Sequence, residues 1–219
     1  MQDITLIRST VKLPLLNLPV CSPVVDLNGV KIIISPGSQV SDQDYQKLDG
    51  ITDLIAPNLL HSAGIKKALD KFPVANVWGA PGIKKLKPHI NWHSEIDTKN
   101  WPFSSELQAY MIEGAPALNE IVFYHKKSKT LIVTDLCFNM TQITGLGALV
   151  LLNIFGTYRR FAISRLMHMF VKDQQAFGDS IRSLMNLDFE NLIVGHGEPV
   201  LKNAKSRLAE AFLERGFKL

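Results

Sequence analysis

The chain has 219 residues, 46% of them apolar and 20% charged, with a formal net charge of +4. That length suits one large domain, expected to run over residues 1–219, and it is enough to bury a substantial core. The composition excludes a disordered chain, and scattered lysine pairs such as Lys66–Lys67 and Lys126–Lys127 read as a solvated surface rather than a nucleic-acid or anionic-membrane patch. The N-terminal stretch "DITLIRS" and the later "VVDLNGVKIIISP" predict antiparallel strands, turned at Asn28–Gly29. "SDQDYQKLDGI" predicts a helix with Ser41 as N-cap and Gly50 just past its end. "TDLIAP", "SAGIKKALDKFP" and "NVWGAPG" predict a strand–helix–strand unit over residues 51–82, the mark of an α/β layer.

Further along, "NEIVFYHKKSKTLIVTDLCFN" predicts a hairpin joined through Lys126 to Lys129, its second arm ending at Asp135. Apolar helices follow over roughly residues 142–187. Within them "ITGLGALVLLNIFG", residues 143–156, carries no charge. It is shorter than the roughly 20 residues a membrane span needs, so a buried helix is expected there rather than a membrane-dipping lid, and no transmembrane segment is expected. "FENLIVGHGEPV" predicts a strand ending at His196, and "LKNAKSRLAEAFLERGF" an amphipathic closing helix. Cys21 and Cys137, distant and in apolar settings, argue against a disulfide framework. With no secretory signal in the first residues, they point to a cytoplasmic, bacterial setting. The sequence leaves oligomeric state open.

The chemistry falls at strand ends. His61, Asp135 and His196 each follow an apolar run, and α/β folds place sites at the ends of strands. Two imidazoles and a carboxylate are a metal-ligand set with a fourth position left for water, which suits zinc or iron.

The order strand, "APNLLHSAG", helix, then "KTLIVTD", then "LIVGHGEPV" resembles the metallo-β-lactamase superfamily over most of the chain, and within it the DUF4336-like branch. The resemblance implies an α+β fold, a four-layer αββα sandwich with two central mixed sheets and the site at their shared edge. In that superfamily the first segment carries HxHxDH. Laid on it, this chain puts Ala56 and Asn58 on the first two histidines, Leu60 on the aspartate and His61 on the last histidine. A further family histidine falls at Ala115 or Pro116. One metal position therefore loses its own ligands, while the second keeps His61, Asp135 and His196.

Two readings stand side by side. In one, these three residues hold a single divalent ion (zinc, iron or manganese), and the protein hydrolyses a small ester, thioester, lactone or phosphoester. Asp135, His196 and Glu198 then serve catalysis, and Asn58 and His93 meet the small-molecule substrate, with a backbone-bonded turn the alternative for Asn58 and a surface position the alternative for His93. In the other, His61 and His196 hydrogen-bond Asp135 as a metal-free polar cluster of a binding module. Nucleic-acid processing is a third reading, resting on the positive charge and on nuclease relatives. Among other side chains, His125 is expected in a hairpin turn without a role and His168 on a core-facing helix. Cys137 is expected as a buried thiol, and Arg159, Arg160 and Arg165 on a solvated helical face. No phosphate-binding glycine loop, dinucleotide fingerprint or nucleophile elbow is present.

Overall fold

A computed structural model describes residues 3–13 and 16–218. Strands β1 (Ile4–Leu13), β2 (Leu16–Leu27) and β3 (Val30–Ile34) form an antiparallel meander. Helix α1 (Asp42–Gln46) leads to β4 (Ile51–Ala56), α2 (Ile65–Lys71), β5 (Asn76–Gly79), α3 (Ile83–Leu86) and the short β6 (Ser94–Glu95). β3 to β6 pair in parallel, so the six-stranded sheet is mixed, in sequential order. β7 (Leu107–Met111), β8 (Ile121–His125) and β9 (Thr130–Ile132) make a second antiparallel meander. After it come β10 (Phe138–Asn139), α4 (Leu146–Phe155), β11 (Phe161–Ala162), α5 (Met167–Phe170) and α6 (Gln174–Met185). β12 (Asn191–Ile193) then adds in parallel to β9, and α7 (Ala204–Glu214) closes the chain. β10 pairs with β11.

Strand alternation builds the layers. In β3, Ile32 and Ile34 point between the sheets, where they join Ile55, Leu107, Phe123 and Ile193, while Ile33 points outward. The outer face of the first sheet buries Ile33, Leu54 and Val77 against Tyr45 of α1 and Ile65 and Ala68 of α2. The second sheet's outer face buries Val122, Leu131 and Leu192 against Phe177 and Ile181 of α6 and Leu208 and Phe212 of α7. Each such fully buried side chain stabilises the fold by about 1.5–3 kcal/mol through removal from water. The result is the αββα sandwich with two mixed sheets.

At one end the sheets are stitched together by backbone hydrogen bonds. Ile121 N–H donates to Pro57 O (2.7 Å), Leu59 N–H to Leu118 O (3.0 Å) and Cys21 N–H to Gly195 O (2.9 Å). Gly64, at the start of α2, lies so near β3's exit that a Cβ there would sit 1.9 Å from Pro36 O. Only glycine admits that approach.

Three local expectations change. Helix α1 has the Ser41 cap, whose hydroxyl accepts from Asp44 N–H, but ends at Gln46. Residues 142–187 are not helical throughout, since β11 interrupts them to extend β10. The 143–156 segment does form a helix, but an incompletely buried one: Ala148 and Leu152 are covered, while Leu146, Leu149, Val150 and Ile154 are exposed. No helix among the described residues is long and apolar enough to cross a membrane.

Candidate metal centre

The site grows from three chain segments at the stitched end of the sandwich. Beyond β4, Pro57 and Asn58 turn the chain. The Asn58 side chain is fully buried, and its Oδ1 accepts from the backbone N–H groups of Leu60 and His61, both at 2.9 Å. That Asx turn brings His61 back over the strand end. The Asn58 amide donates to Asp135 Oδ2 (2.9 Å) and Thr134 Oγ1 (3.0 Å). Asn58 was expected either to meet substrate or to fix a turn by bonding backbone, and it does the second. Its polar groups are consumed inside the protein, and it fixes two of the site's segments to each other.

Asp135 lies just past β9. The N–H groups of Thr134 and Asp135 donate to the two oxygens of Glu120 (2.6 and 2.9 Å), a fully buried carboxylate at the start of β8. Sequence reading missed Glu120, because an acidic residue beside a strand start ordinarily reads as solvated. His196 lies past β12. After it Gly197 takes φ +107°, where a Cβ would meet Asn139 O at 2.1 Å. This close approach lets Asn139 N–H donate to His196 O (3.1 Å) and Glu198 N–H to Asn139 O (2.9 Å), which fixes the GHGEP loop.

The three side chains meet. His61 Nε2 is 3.1 Å from Asp135 Oδ2 and 3.2 Å from His196 Nε2, and His196 Nε2 is 3.6 Å from Asp135 Oδ1. A tetrahedral ion with bonds of about 2.0–2.1 Å has ligand atoms about 3.3 Å apart, so the donor set fits one such ion. The outward nitrogens are anchored. His196 Nδ1 donates to Pro19 O at 2.9 Å. Because a carbonyl only accepts, that contact fixes the tautomer and leaves the Nε2 lone pair facing Asp135 and His61. His61 Nδ1 is 2.6 Å from Ser35 Oγ. Among the described residues, His61, Asp135 and His196 form the one group of histidine, cysteine or acidic side chains placed to share an ion. Where the resemblance laid the family's other ligands, Ala56 and Ala115 are buried, the alternative Pro116 carries no side-chain donor, Asn58 is engaged and Leu60 is an exposed apolar residue, so a second ion has no donors at those positions.

Burial opposes a charged ring at His61, but the Asp135 carboxylate beside it outweighs burial and raises the histidine's pKa. For Asp135, burial favours the neutral acid. The charge on His61 and the contacts Asp135 makes with both imidazoles overcome it and hold the carboxyl well below the usual range. Glu120 is pushed up to about 7, by burial first and then by the Asp135 charge, against the pull of the two N–H groups it accepts.

Above the cluster opens a cleft of about 550 Å³, walled by Val11, Leu13, Leu18, Val20 and Leu60, with His61, Asp135 and His196 on its floor. The remaining candidates lie elsewhere. Glu198 was expected to serve catalysis, but its carboxylate is gripped by both Arg8 nitrogens (2.6 and 2.8 Å) and faces a separate depression beside Asn139 and Gln142. His93 was expected over the site. It begins the exposed edge at β6, its ring 4.6 Å from Trp78, and is not among the cleft's lining residues. His125 is no turn residue: it ends β8, fully buried, with Nδ1 2.7 Å from Ser128 Oγ. His168 is exposed, stacked on Phe217, with Nε2 2.8 Å from Arg215 O, rather than facing the core. Cys137 is buried, and burial raises its thiol well above the ordinary value. Arg159 and Arg160 follow α4 in a turn, and Arg165 Nη1 donates to Asn153 O and Ile154 O at that helix's C-terminal end, so no shared helical face exists.

No protein-family model matches the sequence, and no curated protein is similar to it in sequence. Solved structures are similar in fold. A metallo-beta-lactamase from Pontibacter korlensis superposes with a TM-score of 0.66 at 11% identity, covering 97% of this chain and 96% of that one. The DIM-1 metallo-beta-lactamase exposed to ceftazidime gives 0.68 at 13% identity, over 98% and 94%. The Flv1 flavodiiron core from Synechocystis gives 0.71 at 12% identity, covering 97% of this chain and 58% of that one. The chain has the metallo-β-lactamase fold, and identities this low speak to fold alone.

Proposed function

We propose that the chain, as a single domain over residues 1–219, is a mononuclear metal-dependent hydrolase of a small ester, thioester, lactone or phosphoester. We place it with the DUF4336-like branch on its Ala56-Pro57-Asn58 segment. The observation that carries the reading is the spacing of 3.1, 3.2 and 3.6 Å among the facing atoms of His61, Asp135 and His196. A divalent ion held there supplies Lewis acidity and a water acidified towards neutrality. The chain's own residues do the rest. Pro19 O and Ser35 hold the two rings by their outer nitrogens, while Asn58 and the Glu120-bound backbone fix Asp135. The proton that His61 Nε2 shares with Asp135 Oδ2 must leave before that nitrogen offers a lone pair.

The test is elemental analysis of protein purified without added metal or chelator. One equivalent of zinc, iron or manganese is expected, lost in His61→Ala, together with ester hydrolysis abolished by His196→Ala. A metal-free protein with no hydrolytic activity would overturn the proposal. One observation favours a second reading: His61 Nε2 lies 3.1 Å from Asp135 Oδ2 and 3.2 Å from His196 Nε2, so one proton on that nitrogen would satisfy the cluster without any ion. In that reading the protein is a metal-free binding module.

A further inference from the structure

We infer that the cleft over the cluster takes a neutral, apolar acyl chain, which narrows the substrate to acyl esters, thioesters or lactones that carry one. The inference rests on the hydrolase reading for the fate of the carbonyl group, whereas binding of the chain stands on the cleft alone. Its volume of about 550 Å³ is within the range of small-molecule sites. Val11, Leu18 and Val20 line its β1–β2 wall. Leu13 and Leu60 form a rim and are 45% and 56% exposed, so apolar area is left facing water at the mouth of a polar-floored pocket.

Charge sharpens the choice. Among the described residues no lysine or arginine lines the cleft, and Arg8, which lies on β1, is committed to Glu198. A charged group on the part of a substrate lying along the walls would lose its water there with no cationic side chain to receive it, whereas an ion on the floor would draw only the group placed at the floor. A hydrocarbon chain has only surface to lose from water, worth about 25 cal/mol per Å². Besides Ser38, the polar side chains that line the cleft are Ser35, His61, Asp135 and His196, and Ser35 Oγ is already bonded to His61. That division of walls from cluster seats the chain along the walls and the carbonyl below. In the reaction, the hydroxyl of water bonds to the acyl carbon, the bond to the alkoxide or thiolate breaks, and water's remaining proton goes to that leaving group.

Two measurements test this. First, calorimetric titration of the chelator-treated protein with neutral straight-chain amides from butanamide to decanamide is expected to show affinity rising about fourfold per added methylene, and Leu60→Asp to abolish the rise. Leu60 is exposed, so that change spares the fold, and Leu13→Asp provides an independent second rim charge. Affinity independent of chain length, or unchanged in both variants, overturns the inference. Second, metal-loaded protein is assayed on p-nitrophenyl esters from acetate to octanoate and on p-nitrophenyl phosphate. Rising kcat/KM with chain length and no phosphatase activity support it, and preference for acetate or for the phosphate overturns it. Chain-dependent amide binding by a protein that hydrolyses nothing would sink the hydrolase reading and leave the acyl cleft standing.

Discussion

Asn58 shows how much one amide settles. Its oxygen closes the turn that presents His61, and its nitrogen holds the carboxylate of Asp135 and the hydroxyl of Thr134. Asn58→Ala strands these buried partners, so a loss of about 3 kcal/mol is expected in urea unfolding, together with loss of any bound ion, because Asp135 is then free to turn. The same shell fixes the response to pH. The raised pKa of His61 keeps its proton bound to a higher pH than in a free imidazole, and that proton occupies the place of an ion. Zinc affinity is therefore expected to strengthen as pH rises through the His61 pKa and to weaken by about tenfold per unit below it, measured with a competing chelator between pH 5 and 8. In the chelated protein, the His61–Asp135 attraction has two limits. The part linked to raised His61 is present below about 6.5 and is lost as pH rises through its folded value, while the part linked to depressed Asp135 is present above about 4 and is lost as pH falls.

Helix α4 is the element whose sequence and surroundings agree least. A run without charge reads as core, yet one stripe, Leu146, Leu149, Val150 and Ile154, faces water, and the opposite side buries Ala148 and Leu152 against Leu16, Met140 and Ile143. The two faces should respond differently to substitution. Leu152→Ala is expected to cost about 2–5 kcal/mol through the cavity it opens, and Val150→Lys to stay within about 0.5 kcal/mol, both from chemical denaturation. Elements with a clear period were legible. β4–α2–β5 reads directly from alternating punctuation by proline and glycine, and the β8–β9 hairpin from two β-rich arms about a lysine turn. β7 was not, since Leu107 and Ala109 alone in that five-residue strand are fully covered, too short an alternation to stand out among turn residues.

For the molecule as a whole, the sandwich was legible through the resemblance of the APNLLHSAG, KTLIVTD and LIVGHGEPV segments, and the donor set because His61, Asp135 and His196 each follow a strand, and strands deliver their ends to one rim. What sequence could not show were the acceptors that aim these donors. Pro19 contributes a backbone oxygen, which any residue possesses. Glu120 is buried only because a distant turn brings two N–H groups to it. Whether His93 and Glu198 reach the cleft depended on loop paths that no local pattern encodes.

The contact from His196 Nδ1 to Pro19 O spans 177 positions, and it orders events during synthesis. A nascent polypeptide reaches Asp135 with one imidazole already in place and the other not yet translated. The three-residue cluster therefore cannot close until the segment carrying His196 has been made and has reached Pro19.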